Sequence, residues 1–167
     1  MTDRAEVKIL PPFILASAIA LDALFAYFIP MRALPGAVAA FFGVAVITMS
    51  VLLVIWAAKE IADAHTAFDA RKPTTLIVTT GVYRFTRNPV YLSMIMLVIG
   101  IGLFLNSPWA ILVAIPTGGV LYLTAIKPEE HYLEGKFAGA YRAYCDTVPR
   151  WLSRRRLTLV LLGRPEA

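Results

Sequence analysis

Four long apolar blocks constrain the fold of this 167-residue chain more than any other feature. They run from Pro12 to Ile29, Pro35 to Ala58, Pro89 to Leu105 and Trp109 to Ile126. Each is close to the ~20 residues that a helix needs to cross ~30 Å of hydrocarbon. Hydrophobic residues make up 59% of the chain and charged residues 16%, which excludes an ordinary soluble domain. We therefore predict an all-α fold: an integral membrane bundle of about four transmembrane helices in a single membrane domain, residues 1–167.

The basic residues are distributed unevenly around the apolar blocks, and this predicts the orientation of the chain. The turn 106–108 between the third and fourth blocks has none, whereas the tail after the fourth block is rich in lysine and arginine. The connection between the second and third blocks contains Lys59, Arg71, Lys72, Arg84 and Arg87. The positive-inside rule then predicts a multi-pass protein with both termini and this connection in the cytoplasm. Basic residues that flank apolar blocks indicate contact with membrane lipids and no nucleic acid partner.

The scarcity of cysteine and histidine limits the chemistry of the chain. Cys145 is the single cysteine, so no intramolecular disulfide can form. The two histidines, His65 and His131, are far apart in the sequence and make a poor metal-binding pattern. We predict no metal site.

One carboxylate, Asp22, falls inside the first apolar block. Ionisable residues inside a membrane are costly, so such a residue is by default a hypothesis about function. The alternative that we favour is a protonated carboxyl, or one that is hydrogen-bonded to a neighbouring helix.

Three segments outside the apolar blocks have recognisable patterns. The spacing of apolar residues predicts that the second helix continues over Lys59 to Phe68 and ends at Arg71-Lys72-Pro73, because proline disfavours helix in the residue before it. A short extended segment, Thr74 to Gly81, follows. The 3–4 spacing of apolar and aromatic residues from Glu129 to Tyr144 predicts an amphipathic C-terminal helix.

Polar residues at the start of the third block and after the end of the fourth should meet at one membrane face. The short turn 106–108 predicts a tight helical hairpin, so Arg87-Asn88-Pro89 and Glu129-Glu130 lie at the same end. A helix N-terminus favours an anionic group and an acidic pair favours a cationic one. The alternative is that Arg84 and Arg87 only anchor the chain at the membrane and the acids face water.

The run Arg87-Asn88-Pro89-Val90-Tyr91, a hydrophobic hairpin, then Glu129-Glu130 and Leu133, resembles the signature of the isoprenylcysteine carboxyl methyltransferase family and its phospholipid methyltransferase relatives. The resemblance covers residues 66–152, which it marks as a methyltransferase-like core. The helical pair of residues 12–58 shows membrane helices and little more. The resemblance implies a methyltransferase that uses S-adenosylmethionine, releases S-adenosylhomocysteine, needs no metal and binds its cofactor in a cytoplasmic pocket.

The resemblance also implies roles for particular residues. Those that would line the adenosine part of the pocket are Thr75, Leu76, Ile77, Val78 and Tyr83. Those that would line the methionine end, together with Arg87, are Asn88, Pro89, Val90 and Tyr91, and Glu129 would make a polar contact with the cofactor. For catalysis we single out Glu130 and Arg150: an arginine would hold a carboxylate acceptor, with Lys127 as an alternative cation. An amine acceptor would need a base such as Glu130 or His131.

Two positions depart from the family pattern. Asn88 replaces the usual histidine and cannot titrate. Ala125 stands where the carboxyl methyltransferases have a basic residue that holds the substrate carboxylate. The predicted function is methylation of a lipid-like or small amphipathic acceptor, with a carboxylate as one option. The alternatives are a phospholipid N-methyltransferase and a non-catalytic membrane scaffold or sensor that keeps the fold.

Overall fold

The computed structural model describes residues 9–66 and 74–152. The described residues are helical and contain no strand, which confirms the predicted all-α fold. The helices are α1 (Pro11–Phe28), α2 (Gly36–Asp63), a 3₁₀ helix (Gly81–Arg84), α3 (Pro89–Phe104), α4 (Trp109–Leu121), a π segment (Tyr122–Ile126), α5 (Lys127–Phe137) and α6 (Gly139–Thr147). The predicted helix end at Arg71-Lys72-Pro73 and the basic tail after Leu152 lie outside the described residues.

Each of the four apolar blocks forms a helix. Helices α1 and α2, and the continuous helix from Trp109 to Phe137, are long and apolar enough to cross a membrane. Helix α3 is equally apolar but has 16 residues, so it is about 24 Å long and shorter than ~30 Å of hydrocarbon. Exposed large apolar side chains such as Phe13, Phe41 and Ile115 cover the outside of the bundle, as expected of a membrane protein.

Helix α3 lies at the centre of the bundle and contacts α1, α2 and α4. Its close approach to α2 depends on small residues: a Cβ on Gly43 would overlap the backbone of Phe104, and a Cβ on Gly100 would press on Ile47. Small residues at such interfaces let helix backbones pack closely in membranes. On the other side of α3, Val98 packs with residues of α1 and α4.

The turn between α3 and α4 lies at the end of the bundle opposite the polar helices α5 and α6, and its side chains form hydrogen bonds with neighbouring segments. The Asn106 side chain accepts hydrogen bonds from the backbone N–H groups of Ala33 and Leu34, each at 3.2 Å. Ser107 donates to Asp22 Oδ1 at 2.9 Å, and both side chains are buried. Asp22 is therefore hydrogen-bonded, but its partner lies in the turn and not on a neighbouring helix as the favoured interpretation had it.

Two predicted helices differ from the structure. The extension of α2 ends at Asp63, and His65 has a positive φ of 49°, so the predicted helix over 59–68 is too long. The predicted C-terminal helix is divided into α5 and α6 at Ala138, whose φ is 44°. In contrast, the helix that begins at Trp109 runs through Pro116 without a break and changes to a π segment only at Tyr122.

Candidate functional site

A cleft of about 90 Å³ opens at the end of the bundle where α2 ends, α3 begins and α5 and α6 pack together. It is bounded by residues of α2, α5 and α6, by Thr66 and the segment 74–83, and by Arg87 and Asn88 just before α3. The predicted site residues that line it are Leu76, Ile77, Val78, Tyr83, Arg87, Asn88, Glu129 and Glu130. The cleft therefore brings together both polar groups that the hairpin argument placed at one membrane face.

One wall of the cleft is formed by the segment 74–80 and the 3₁₀ helix. Val82 and Tyr83 pack against Ala57 of α2, which is fully buried. The Tyr144 hydroxyl of α6 donates to the backbone carbonyl of Tyr83 at 2.7 Å. Burial raises the pKa of the Tyr83 phenol above its ordinary value, and the nearby Glu129 carboxylate raises it further. Tyr83 therefore stays neutral at physiological pH.

The start of α3 is fastened to the segment after α6. The Asn88 side-chain amide donates to the carbonyl of Arg150 at 3.1 Å, and the Thr86 hydroxyl donates to the same carbonyl at 3.0 Å. The backbone N–H of Arg87 donates to the carbonyl of Pro149 at 3.1 Å. Asn88 thus occupies the N-cap position of α3 without capping it by its side chain. Its amide serves to join two distant parts of the chain.

Glu129 of α5 is oriented by a hydrogen bond from Tyr91 of α3. The Tyr91 hydroxyl donates to Glu129 Oε2 at 2.9 Å, and Tyr91 itself is 8% exposed. The π segment, a form of helix that is frequent at functional sites, directly precedes α5 and the acidic pair. Its buried residues Ala125 and Ile126 pack in the same cluster as Tyr91.

Glu130 lies between two guanidinium groups. Arg150 donates to both of its oxygens, at 2.9 and 2.7 Å, and Arg87 Nη1 lies 3.3 Å from Oε1. Hydrogen bonding to Glu130 raises the pKa of Arg150, so this guanidinium stays charged. It also lies over the ring of Tyr122 in the π segment, 4.8 Å from the ring centroid. Arg87 contacts the Cys145 thiol through Nη1, and its buried Nε has no hydrogen-bond partner among the described residues.

A second cavity, of about 500 Å³, lies on the outer side of α3 and α4. It is an apolar groove, lined by Ile95, Ile99, Ile111, Ala114, Ile115, Gly118 and Gly119. Tyr122, Arg150 and Trp151 line it as well. Arg150 therefore borders this groove while it binds Glu130, which lines the cleft.

Five predicted site residues lie outside the lining of the cleft: Arg150, which borders the apolar groove instead, and Thr75, Pro89, Val90 and Tyr91. Thr75 is exposed, and its hydrogen bonds go to Thr66 and to the carbonyl of His65. Pro89 is buried, and Val90 packs toward the cluster of Ala57 on α2. Tyr91 reaches the cleft only through Glu129.

The sequence interpretation missed several residues of the cleft. The lining residues that it did not assign to the site are Ile61, Thr66, Thr74, Leu133, Tyr141 and Tyr144. The apolar spacing of the C-terminal segment marked Leu133, Tyr141 and Tyr144 as a buried face, but it gave no indication of which surface they pack on. His131 is exposed and does not line the cleft. Within residues 9–66 and 74–152, no group of three or more His, Cys, Asp or Glu side chains could hold a metal ion.

A family model described as phospholipid methyltransferase matches residues 38–140, which is more than half of the chain. The chain belongs to the phospholipid methyltransferase family. This confirms the resemblance inferred from the motif, and it makes the chain a member of a family of membrane methyltransferases. The match includes the motif at the start of α3 and the acidic pair, whereas α1 and Arg150 lie outside it. No curated protein matches the chain significantly.

Proposed function

We propose that this member of the phospholipid methyltransferase family transfers a methyl group from S-adenosylmethionine to a lipid-like or small amphipathic acceptor. The proposal rests on the place where the cleft and the apolar groove adjoin each other. The cleft is lined by Arg87 and Asn88 of the family motif and by the acidic pair, and the apolar groove adjoins it at the ion pair of Arg150 and Glu130. A polar cofactor and an apolar acceptor would thus each have a suitable surface beside the same two residues.

The lining of the cleft fits the proposed cofactor. Leu76, Ile77 and Val78 offer an apolar wall to a nucleoside, and Glu129 offers a carboxylate to an ammonium group. The buried and unpartnered Nε of Arg87 offers a donor to a carboxylate. The free space of about 90 Å³ is below the ~300–1,000 Å³ typical of ligand pockets, so we expect side chains of the lining, such as Leu76 and Leu133, to move aside on binding while the backbone of residues 76–83 stays in place. When bound, S-adenosylmethionine supplies an electrophilic methyl group.

The residues of the chain would act by positioning and by excluding water, which account for much of the acceleration in such displacements. Tyr91 holds Glu129 in one orientation. Both oxygens of Glu130 accept guanidinium donors, so we assign Glu130 the role of fixing Arg150 and Arg87. Arg150 would in turn hold an anionic group of the acceptor at the end of the groove.

The acceptor would enter the groove laterally from the bilayer. Isoleucines of α3 and α4 provide its apolar surface, and the small residues Ala114, Gly118 and Gly119 keep it open. A carboxylate acceptor is supported by the charged guanidinium at the end of this groove, because a carboxylate is already ionised at neutral pH and needs no base. We also propose that the cleft and both termini are cytoplasmic, on the basis of the positive-inside rule.

A phospholipid amine is the second candidate acceptor, and the family description favours it. An amine must lose a proton before it attacks, so this reaction needs a base. The exposure of His131 and the ion pairs of Glu130 argue against both bases that the sequence suggested. A non-catalytic scaffold or sensor is the remaining alternative, and cofactor binding followed by methyl transfer distinguishes it from an enzyme.

Calorimetric titration of the detergent-purified protein with S-adenosylmethionine and S-adenosylhomocysteine tests the proposal. We expect micromolar binding of both compounds. Glu129→Ala should weaken binding more than about tenfold, because a carboxylate oriented toward the ligand is lost. The matched control is Glu134→Ala, which removes an exposed acid of the same helix that pairs with the exposed Arg142. No binding to folded wild-type protein would overturn the proposed function.

A further inference from the structure

One carboxylate at the end of α2 fastens the loop that forms a wall of the cleft. Glu60 Oε2 accepts a hydrogen bond from the Thr80 hydroxyl at 2.6 Å. Its Oε1 accepts one from the indole N–H of Trp56, one helical turn earlier, at 3.1 Å. Both oxygens of the carboxylate are therefore engaged, one by its own helix and the other by the loop.

The backbone beside this contact is shaped to admit the carboxylate. Gly81 has a φ of +52°, which favours glycine, and a Cβ at this position would overlap the carboxylate of Glu60. The hydroxyl of Thr80 and the bare backbone of Gly81 thus meet the same side chain. Any other residue at position 81 would both strain the backbone and displace Glu60.

This contact lies between two parts of the cleft wall. On one side, the chain leads back to Val78, which lines the cleft. On the other side, the 3₁₀ helix starts with a hydrogen bond of 3.0 Å from the N–H of Tyr83 to the carbonyl of Thr80, and Tyr83 also lines the cleft. Ile61, the neighbour of Glu60 on α2, completes this part of the lining. The hydrogen bond from Thr80 to Glu60 therefore sets the distance between the wall and α2.

We propose that Glu60 is a positioning residue, which holds the wall formed by residues 76–83 in the conformation that binds the cofactor. The inference rests on the proposed function. Glu60 itself does not line the cleft, so it acts only through Thr80 and Gly81. A wall that is fixed before binding spares the ligand the entropic cost of ordering it. Loss of Glu60 should then raise the Kd of the cofactor and its KM while kcat stays nearly unchanged.

The experiment compares Glu60→Ala with Glu60→Gln and with wild type. In Glu60→Ala, we expect the Kd of S-adenosylhomocysteine to rise about tenfold, as loss of a hydrogen bond to a charged group would produce. Glu60→Gln should restore most of the affinity, because its amide oxygen can accept from Trp56 while its amide N–H donates to Thr80. The matched control is Asp63→Ala, which removes an exposed acid one turn further along α2.

Hydrogen exchange of the unliganded protein provides a readout that does not depend on any ligand. The backbone amides of Tyr83 and Phe85, which donate within the 3₁₀ turn, should exchange faster in Glu60→Ala than in Asp63→Ala. Amides in the middle of α3 should exchange at the wild-type rate in both variants. General destabilisation of the protein would instead accelerate exchange in α3 as well.

Thr80→Val and Thr80→Ser test the same hydrogen bond from the side of the loop, in case Glu60→Ala does not fold. Thr80→Val removes only the donor and should weaken binding about fivefold, whereas Thr80→Ser should bind as wild type does. Unchanged affinity in folded Glu60→Ala and in Thr80→Val, with a wild-type protein that binds, would overturn the role of Glu60 alone. Folded wild-type protein that does not bind S-adenosylhomocysteine would overturn the proposed function and, with it, the role of Glu60.

Discussion

The hydrogen bond between Tyr91 and Glu129 offers a quantitative test of the site. It joins α3 to α5 at 2.9 Å, and Tyr91 is 8% exposed, so water can replace the lost hydroxyl only poorly. A buried hydrogen-bonding group that loses its partner costs about 1–3 kcal/mol. If Glu129 contacts the cofactor, part of this free energy serves to hold the carboxylate in its binding orientation. Tyr91→Phe removes the hydroxyl and leaves the packing of the ring intact.

We expect Tyr91→Phe to raise the Kd of S-adenosylhomocysteine about tenfold, which corresponds to about 1.4 kcal/mol. A double-mutant cycle with Glu129→Ala, which removes the acceptor, separates this coupling from independent effects. The two side chains should show a coupling energy of about 1 kcal/mol or more, because Tyr91 acts on the ligand only through Glu129. Calorimetry provides each Kd, and thermal unfolding shows that each variant is folded. The control is Tyr27→Phe, at a side chain of α1 that is 79% exposed.

Additive effects would refute this reasoning. If the coupling energy lies within about 0.3–0.5 kcal/mol of zero, the two residues act independently. Glu129 would then bind the cofactor without help from Tyr91, or neither residue would belong to the site. A wild-type Kd in both single variants would remove Tyr91 and Glu129 from the site altogether.

Three further predictions follow from the groove, the bundle and the distal turn. Arg150→Gln should raise the KM for an anionic amphiphile about tenfold or more in a methyl-transfer assay, since a charged hydrogen bond is lost, while calorimetry shows a smaller change in cofactor Kd. Gly43→Ala should lower the thermal unfolding midpoint by several degrees more than Gly36→Ala, because a methyl at 43 overlaps the backbone of Phe104 and one at 36 meets open space. Ser107→Ala should destabilise the bundle by about 1–3 kcal/mol in denaturant unfolding, because the buried Asp22 loses its donor, yet leave the cofactor Kd unchanged.

Each of these predictions has a contradicting result. Equal KM values for Arg150→Gln and wild type would show that the groove does not present the acceptor to this guanidinium. Equal midpoints for Gly43→Ala and Gly36→Ala would contradict the close packing of α2 on α3. A raised Kd of the cofactor in Ser107→Ala would show that the turn between α3 and α4 is coupled to the cleft.

The sequence predicted the helical bundle well because hydropathy depends on composition over a long window. The four blocks end within a few residues of the observed helices, apart from α2, which extends to Asp63, and the fourth helix, which continues through the π segment and α5 to Phe137. The points at which one helix gives way to another, or changes its type, were harder to predict. Ala138 has a positive φ, a conformation that alanine rarely adopts, so the residue type gave no sign of the break between α5 and α6. The π segment likewise has no distinctive residue pattern.

The candidate site was predicted in part, for a geometric reason. The motif at the start of α3 is contiguous in sequence, but successive residues of a helix point about 100° apart. Asn88 and Tyr91 are three positions apart and therefore lie on the same side: Asn88 lines the cleft, and Tyr91 contacts the Glu129 carboxylate. Pro89 and Val90 are turned into the bundle. The contributions of Thr66 and Thr74 depend on tertiary folding and leave no local signal. The position of Arg150 between both cavities is also a tertiary feature.

Transfer of a labelled methyl group to lipids in reconstituted vesicles would show whether this protein is a methyltransferase. Protein in vesicles that contain aminophospholipids and fatty acids would be incubated with S-adenosylmethionine that is labelled in its methyl group. We expect label to enter the lipid fraction with wild type and with Glu134→Ala, and to enter at less than about a tenth of the wild-type rate with Glu129→Ala at a cofactor concentration below the wild-type Kd. A wild-type protein that binds the cofactor but leaves every lipid unlabelled would contradict the proposed methyl transfer and favour a non-catalytic sensor.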